Sequence, residues 1–411
     1  MKLFFLLLLL FITDLYFFLG TSSLVNKILN NKIIYPLIYW LISSLVYIYL
    51  IYIVLNINNN EHDNVSFNIL YTSLFFILFS TKFIGSVPLF VDDIFRFFRL
   101  VISFFGKNSS YTYDIQRLEF LKKSSLFFSA ALFSTLLIGM RWGRYHFKKN
   151  YNDILIKNWP ANLDNYKIIH ISDLHLGSFN SVDKLNEVVD IINNENADLV
   201  VFTGDLINNY YFEAIPYINT LNKIQAKHGK FSILGNHDYG DYRFRNRDSS
   251  EWQENFNKLI ELEKKAGFDL LLNESRLVSV DGSVFNIVGV ENWGVGGFSK
   301  DGDLKKAMSN VDDSIPTILL SHDPSHWRYV VQKSNYHIDL QLSGHTHGMQ
   351  FGIEIPGFKW SPVQYRYREW AGLYEKDEIQ IYVNRGLGHL GYAGRVGIMP
   401  DISILNIKKR I

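Results

Sequence analysis

"YKIIHISDLHLG", residues 166–177, places a mostly apolar run ahead of a short loop that carries Asp173 and His175. Tyr166–Ile171 reads as a buried strand. "SVDKLNEVVDIINN" (181–194) follows with helical periodicity and Ser181 as its N-cap. The unit then repeats. "ADLVVFTGD" (197–205) predicts a second strand with a helix around 213–225 behind it. "GKFSILGNHD" (229–238) predicts a third, followed by a helix over "SEWQENFNKLIELEKKAG" (250–267) that Gly267 closes. Further strands fit "SVFNIVGV" (283–290), "PTILLSHD" (316–323), "HIDLQLSGH" (337–345), "IQIYVNRG" (379–386) and "DISILNIKK" (401–409). Strands that alternate with helices imply a layered α/β fold with the helices outside. The strand-rich later half implies a second sheet packed on the first.

The chemically suggestive side chains fall just past five of these strands. They are Asp173 and His175 in "SDLHLG", Asp205 in "TGDL", Asn236, His237 and Asp238 in "LGNHDY", His322 in "LSHDP", and His345 and His347 in "SGHTHG". Ligands of open α/β sheets bind at the carboxyl ends of strands, so these residues are expected on one rim. Four histidines, two aspartates and an asparagine offer nitrogen and hard oxygen donors without sulfur. That set suits manganese, iron or zinc. Seven donors exceed one tetrahedral ion but fit two ions that share a carboxylate. Two dications and two carboxylates leave a net charge of +2, which attracts a phosphate. Two metals about 3.5–4 Å apart clamp an in-line displacement and bring a bound water to a pKa near 7. Phosphoryl hydrolysis is the reaction this chemistry favours.

The five blocks, D-x-H, G-D, G-N-H-D, a lone H after a strand and G-H-x-H, occur in order across about 166–349. In this the chain resembles the calcineurin-like metallophosphoesterase family, in particular the membrane-anchored subgroup of transmembrane proteins with a metallophosphoesterase domain. The resemblance implies a four-layer α-β-β-α sandwich. It also implies that Asp173, His175 and His347 hold a first metal, that Asn236, His322 and His345 hold a second, and that Asp205 bridges them. His237 would protonate the leaving oxygen or stabilise the transition state, and Asp238 would orient its imidazole. Met349 in "GHTHGMQ" stands where the subgroup tends to carry glycine, a departure that bears on pocket shape. Arg385 and Arg395 are candidates for a bidentate phosphate contact. Asn292 and Trp293 are candidates for the pocket mouth.

The first third of the chain has another character. Aromatic residues make up 16% of the whole and crowd into this region. Apolar runs near 3–20, 33–55, 67–91 and 124–140 are expected to form about four transmembrane helices. "DDIFRFFRLVISFFG" (92–106) resembles a separate interfacial helix, since Arg96 and Arg99 argue against a span. Asp14 is a polar residue inside the first span. The expected organisation is a transmembrane region over 1–145 and a metallophosphoesterase domain over 151–411. The basic residues before the fourth span, Lys107 among them, oppose those just after it, so the membrane side of the domain stays open. With a formal net charge of +1, nothing in the overall balance points to nucleic acid, and the absence of cysteine excludes disulfides, thiolate metal sites and a cysteine nucleophile.

The expected function is a multi-pass membrane phosphoesterase of a bacterial-type cytoplasmic membrane, with two divalent ions, Mn2+ ahead of Fe or Zn2+. Its expected partners are membrane lipids and a phosphorylated, lipid-linked substrate. The bond cleaved would be a phosphodiester or pyrophosphate, as in a UDP-diacylglucosamine-like lipid A precursor. A non-catalytic scaffold and a phosphomonoesterase of a soluble substrate are the alternatives.

Overall fold

The computed structural model of the chain describes residues 2–56, 65–105 and 115–410. Residues up to Ile138 form one compact unit and Gly139–Ile411 a second. The first holds α1 (Lys2–Ile28), α2 (Ile34–Asn56), α3 (Val65–Phe105) and most of α4 (Ile115–Arg141). All four are long and apolar enough to cross a membrane. Leu9, Leu37 and Phe90 are more than half exposed, as side chains that face lipid rather than a water-excluding core would be.

One feature of this unit differs from the sequence reading, and a second, the setting of Asp14, adds to it. The stretch after Val91 is no separate helix but the continuation of α3 through Phe105, because no glycine or proline interrupts it after Pro88. Asp14 is not an isolated polar residue. Its Oδ1 lies 2.8 Å from Lys82 Nζ, and its Oδ2 accepts from the Tyr47 hydroxyl at 2.6 Å. Lys82 also donates to Ser43 Oγ at 2.7 Å. A charge removed from water needs such partners. Lys107, which entered the orientation argument, lies outside the described residues.

The second unit is built on two six-stranded sheets. The first contains β1 (Lys148–Ile156), β2 (Tyr166–Ile171), β3 (Leu199–Phe202), β4 (Lys230–Ser232), β5 (Asp269–Leu270) and β14 (Asp401–Lys409), in the order β1-β14-β2-β3-β4-β5. The second contains β6 (Glu274–Val280), β7 (Ser283–Gly289), β8 (Thr317–Leu320), β9 (Leu340–Ser343), β12 (Gly372–Lys376) and β13 (Ile379–Val383), in the order β12-β13-β9-β8-β7-β6. β10 (Ile353–Ile355) and β11 (Phe358–Trp360) form a hairpin apart from both. Strands β2 to β5 run parallel, as do β7, β8, β9 and β13.

Alternating side chains divide each sheet between two layers. Ile168, Leu199 and Val201 of the first sheet meet Ile287, Ile318 and Leu342 of the second in a shared core. On the opposite face of the first sheet, Ile169, Val200 and Phe202 pack under α5 (Val182–Asn194) and α7 (Ser250–Lys265), with the single turn α6 (Ile218–Leu221) between them. On the far face of the second, Val288, Leu319 and Ile381 pack under α8 (Leu304–Ala307) and α9 (Ser325–Tyr329). The result is the α-β-β-α sandwich. Residues 213–225, expected as one helix, break into 3-10 turns and α6, because Pro216 falls inside the stretch and Tyr210–Glu213 closes on itself as a capping box.

Candidate dinuclear metal centre

Each parallel strand end releases the chain into a tight loop, and five loops meet. Past β2 come Asp173 and His175, past β3 Asp205, past β4 Asn236 and His237, past β8 His322, and past β9 His345 and His347. Five of these residues hold left-handed backbone: Asp173 (φ 51°), His175 (47°), Asp205 (59°), His345 (70°) and His347 (50°). Non-glycine residues rarely adopt this conformation, and it clusters where function requires it. Gly344 serves closeness instead. A Cβ there would stand 1.9 Å from Ser172 Oγ and 2.3 Å from Asp173 Oδ2. Without one, the His345 N–H donates to both Asp173 oxygens at 2.9 and 3.1 Å.

The donor atoms form two groups around one carboxylate. Asp173, His175 and His347 make the first, with 3.0 Å between the two Nε2 atoms and 3.2 Å from His347 Nε2 to Asp173 Oδ1. Asp205, His322 and His345 make the second. There Asn236 Oδ1 lies 2.8 Å, and His322 Nε2 3.2 Å, from His345 Nδ1. Asp205 Oδ2 is 3.5 Å from His175 Nε2 and 3.2 Å from His322 Nε2, so it faces both groups. His237 also approaches His175 and Asp205.

The outer nitrogens are already committed. His175 Nδ1 donates to Asn208 Oδ1 at 2.9 Å, and His322 Nδ1 to the Thr203 carbonyl at 2.7 Å. His345 Nε2 lies 2.9 Å from Tyr367 Oη, which donates to Asp323 Oδ2 at 3.4 Å. Such bonds fix the tautomer and turn the remaining lone pair inward. Electrostatics agrees. Burial opposes charging His322, yet Asp205 and Asp173 push it up to about 10, so positive charge is favoured between these carboxylates. Burial keeps His175 and His345 neutral, the ligating form. Burial resists ionising Asp205 and Asp173, but the neighbouring imidazoles hold both below the ordinary carboxylate range. Carboxylates, imidazole nitrogens and an amide oxygen, with no sulfur, fit two hard or borderline divalent cations.

Asp238 needs correcting. It does not reach the His237 imidazole but accepts from the N–H groups of Asp205, Leu206 and Gly235 at 2.8 Å and Ile207 at 3.2 Å. His237 is oriented instead by its Nδ1–H, which donates to the Asn208 carbonyl at 2.8 Å. The expectation for the two arginines does not fit their surroundings either. Arg385 is buried between Asp401 and Glu354. Arg395, fully buried, donates to the carbonyls of Gly386 and Gly388 at 3.0 and 2.6 Å. Arg385 Nε is buried without a partner among the described residues, and the other guanidinium contacts of both arginines are spent on the protein rather than turned to a phosphate. Asn292 is buried and donates to Ser299 Oγ, and Trp293 packs on His326. Phe298 of the same loop, rather than either of them, stands at the centre, its ring 4.9 Å from that of His345. Asn208, Asp323 and Tyr367 went unnoticed in the sequence. Asp323 follows His322 directly, but no local pattern marks Asn208 or Tyr367.

A family profile described as calcineurin-like phosphoesterase matches residues 166–349. Another, described as probable calcineurin-like phosphoesterase, transmembrane domain, matches residues 1–144. The uncharacterized metallophosphoesterase YkuE of Bacillus subtilis is 33% identical over 252 residues, 61% of this chain and 81% of that protein. UDP-2,3-diacylglucosamine pyrophosphatase LpxG of Chlamydia muridarum is 30% identical over 273 residues, 56% of this chain and 79% of that protein. A transmembrane protein with metallophosphoesterase domain from Danio rerio is 27% identical over 271 residues, 62% of this chain and 56% of that protein. The chain thus belongs to the calcineurin-like metallophosphoesterases, metal-dependent phosphoester hydrolases, with a four-helix transmembrane region ahead of the phosphoesterase domain.

Proposed function

We propose that this protein hydrolyses a phosphodiester or pyrophosphate bond in a lipid-linked substrate, of the class represented by UDP-diacylglucosamine. We place it in a bacterial cytoplasmic membrane with manganese as its ion. The observation that carries the reading is the convergence of six donor side chains around Asp205 in a chain that also holds four membrane-length helices. The similarity to a UDP-2,3-diacylglucosamine pyrophosphatase supports the substrate class.

In this reading Asp173, His175 and His347 would hold one ion, Asn236, His322 and His345 the other, and Asp205 would serve both. Bound dications supply the charge that neutralises phosphoryl oxygens and acidifies the attacking water. The chain's own part is orientation and proton supply. His237, with Nδ1–H spent on Asn208, presents Nε2 toward the centre and gives a proton to the departing oxygen. Asp238 ties the loops after β3 and β4 together through four backbone amides, which sets Asp205 against Asn236.

Purified full-length protein should carry about two ions per chain and cleave bis-p-nitrophenyl phosphate and a diacylglucosamine nucleotide only when they are present. Asp205→Asn should lower kcat/KM by at least about 100-fold, roughly 2.7 kcal/mol of transition-state stabilisation. Full activity in that variant would sink the dinuclear assignment. Cleavage of the simple ester without the lipid-linked one would sink the substrate assignment alone.

A further inference from the structure

The hairpin of β10 and β11 leaves an apolar face exposed. Ile353 pairs with Trp360 and Ile355 with Phe358. Opposed residues share a face and successive ones alternate, so these four side chains lie together, with Glu354 and Lys359 on the reverse. In a soluble ribbon the apolar face would turn inward. Here three of the four apolar side chains face outward with Trp360 half-buried, and on the reverse Glu354 is half-buried and Lys359 exposed. Glu354 is ion-paired to the buried Arg385. Lys359 Nζ donates to the Ala371 carbonyl and stands 4.6 Å from the Tyr374 ring. Ile353, Ile355 and Phe358 are left 49%, 58% and 53% exposed.

The chain beyond this hairpin adds charge and leads to the metal centre. Tyr365 is 81% exposed. Arg366 and Arg368 are exposed and, among the described residues, have no carboxylate partner. The Arg366 guanidinium stands 6.0 Å from the Phe298 ring and 5.7 Å from the Tyr367 ring, both of which border His345. Clustered exposed apolar side chains mark an interaction surface. Aliphatic and aromatic residues flanked by arginine fit the boundary between lipid headgroups and acyl chains, where cations meet phosphates. The transmembrane region keeps a bilayer within reach of this unit.

We propose that the apolar face of the β10–β11 hairpin seats in the headgroup–acyl boundary of an anionic phospholipid bilayer, with Arg366 and Arg368 on its phosphates. The use made of this docking, uptake of substrate at the membrane surface, rests on the function proposed above; the docking itself does not. The absence of native cysteine makes the test direct. Single cysteines at Ile355, Phe358 and, as a control, the exposed turn residue Asp377 would carry an environment-sensitive fluorophore. The full chain would be reconstituted in vesicles of phosphatidylcholine and phosphatidylglycerol. Labels at 355 and 358 should be quenched several-fold more by acyl-chain spin-labelled lipid than the label at 377, and less by aqueous iodide. Arg366→Glu with Arg368→Glu should weaken the lipid quenching. Equal iodide quenching at 355 and 377 would overturn the proposal. So would protection from both quenchers with energy transfer between chains, which would mean that a second copy covers the face. Fluorescence needs no turnover, so failure to hydrolyse a lipid would count against the function and not against the docking.

Discussion

Met349 shows what one residue contributes when its neighbours fix the backbone. It holds φ 53°, beside Gly348 at the same φ and Gln350 at 55°. A left-handed backbone costs a β-carbon-bearing residue about 1–2 kcal/mol. That is why glycine suits the position. Met349 is 59% exposed, so little of its surface is buried against the protein. Met349→Gly should relieve most of the strain, partly offset by the greater freedom of glycine in the unfolded chain. The expected result is a melting temperature about 1–3 °C higher, read by thermal unfolding in detergent. A lower one would mean that the side chain packs usefully after all. The left-handed residues of the metal centre, Asp173, His175, Asp205, His345 and His347, differ, because each carries a donor that would be lost with its side chain.

Helix α7 carries a cost of its own. Glu263 is buried against the first sheet, where Ser232 Oγ donates to Oε2 at 2.8 Å while Oε1 has no partner among the described residues. Burial first, and then the Asp238 charge, pushes its carboxyl up to about 8. The folded state therefore holds a proton that the unfolded chain releases near 4.5. Stability is retained below that value and falls as pH rises toward 8, by up to about 1.4 kcal/mol per unit. Glu263→Gln should match the parent at pH 4.5 and exceed it increasingly up to pH 8. A constant difference in melting temperature across that range would show that the carboxyl is already ionised. The motif-bearing strands were legible as elements because they are buried on both faces and read as continuous apolar runs. β1, β6 and β12 at the sheet edges were not, because their half-exposed residues mix charge with apolar side chains. Ser181 is the N-cap of α5 as expected, but its hydroxyl makes no cap hydrogen bond.

At the scale of the molecule, the transmembrane unit is pinned by a pair far apart in sequence. Lys82 of α3 meets Asp14 of α1 and Ser43 of α2, and Tyr39 and Tyr47 of α2 complete the shell around Asp14. Removing one partner of a buried pair leaves an uncompensated charge and costs about 3–5 kcal/mol, whereas replacing both is often neutral. Lys82→Leu should therefore lower the melting temperature in detergent markedly, and the double variant with Asp14→Leu should recover most of the loss. If the double variant were no better than the single, the pair would contribute more than mutual neutralisation.

What the sequence determined by itself is the order of the motif-bearing strands and the identity of the candidate donors. Apolar runs of strand length need a two-sided core, and few residue types other than Asp, Asn and His can offer hard oxygen and imidazole nitrogen together. What only the tertiary structure decided is direction. Asp238 turned from the His237 imidazole to four backbone amides, Arg385 and Arg395 turned inward, and Phe298 and Tyr367 came to His345 from loops with no motif. A side chain beyond a strand end points where a left-handed backbone and distant hydrogen-bond partners send it, and neither is written in the local pattern.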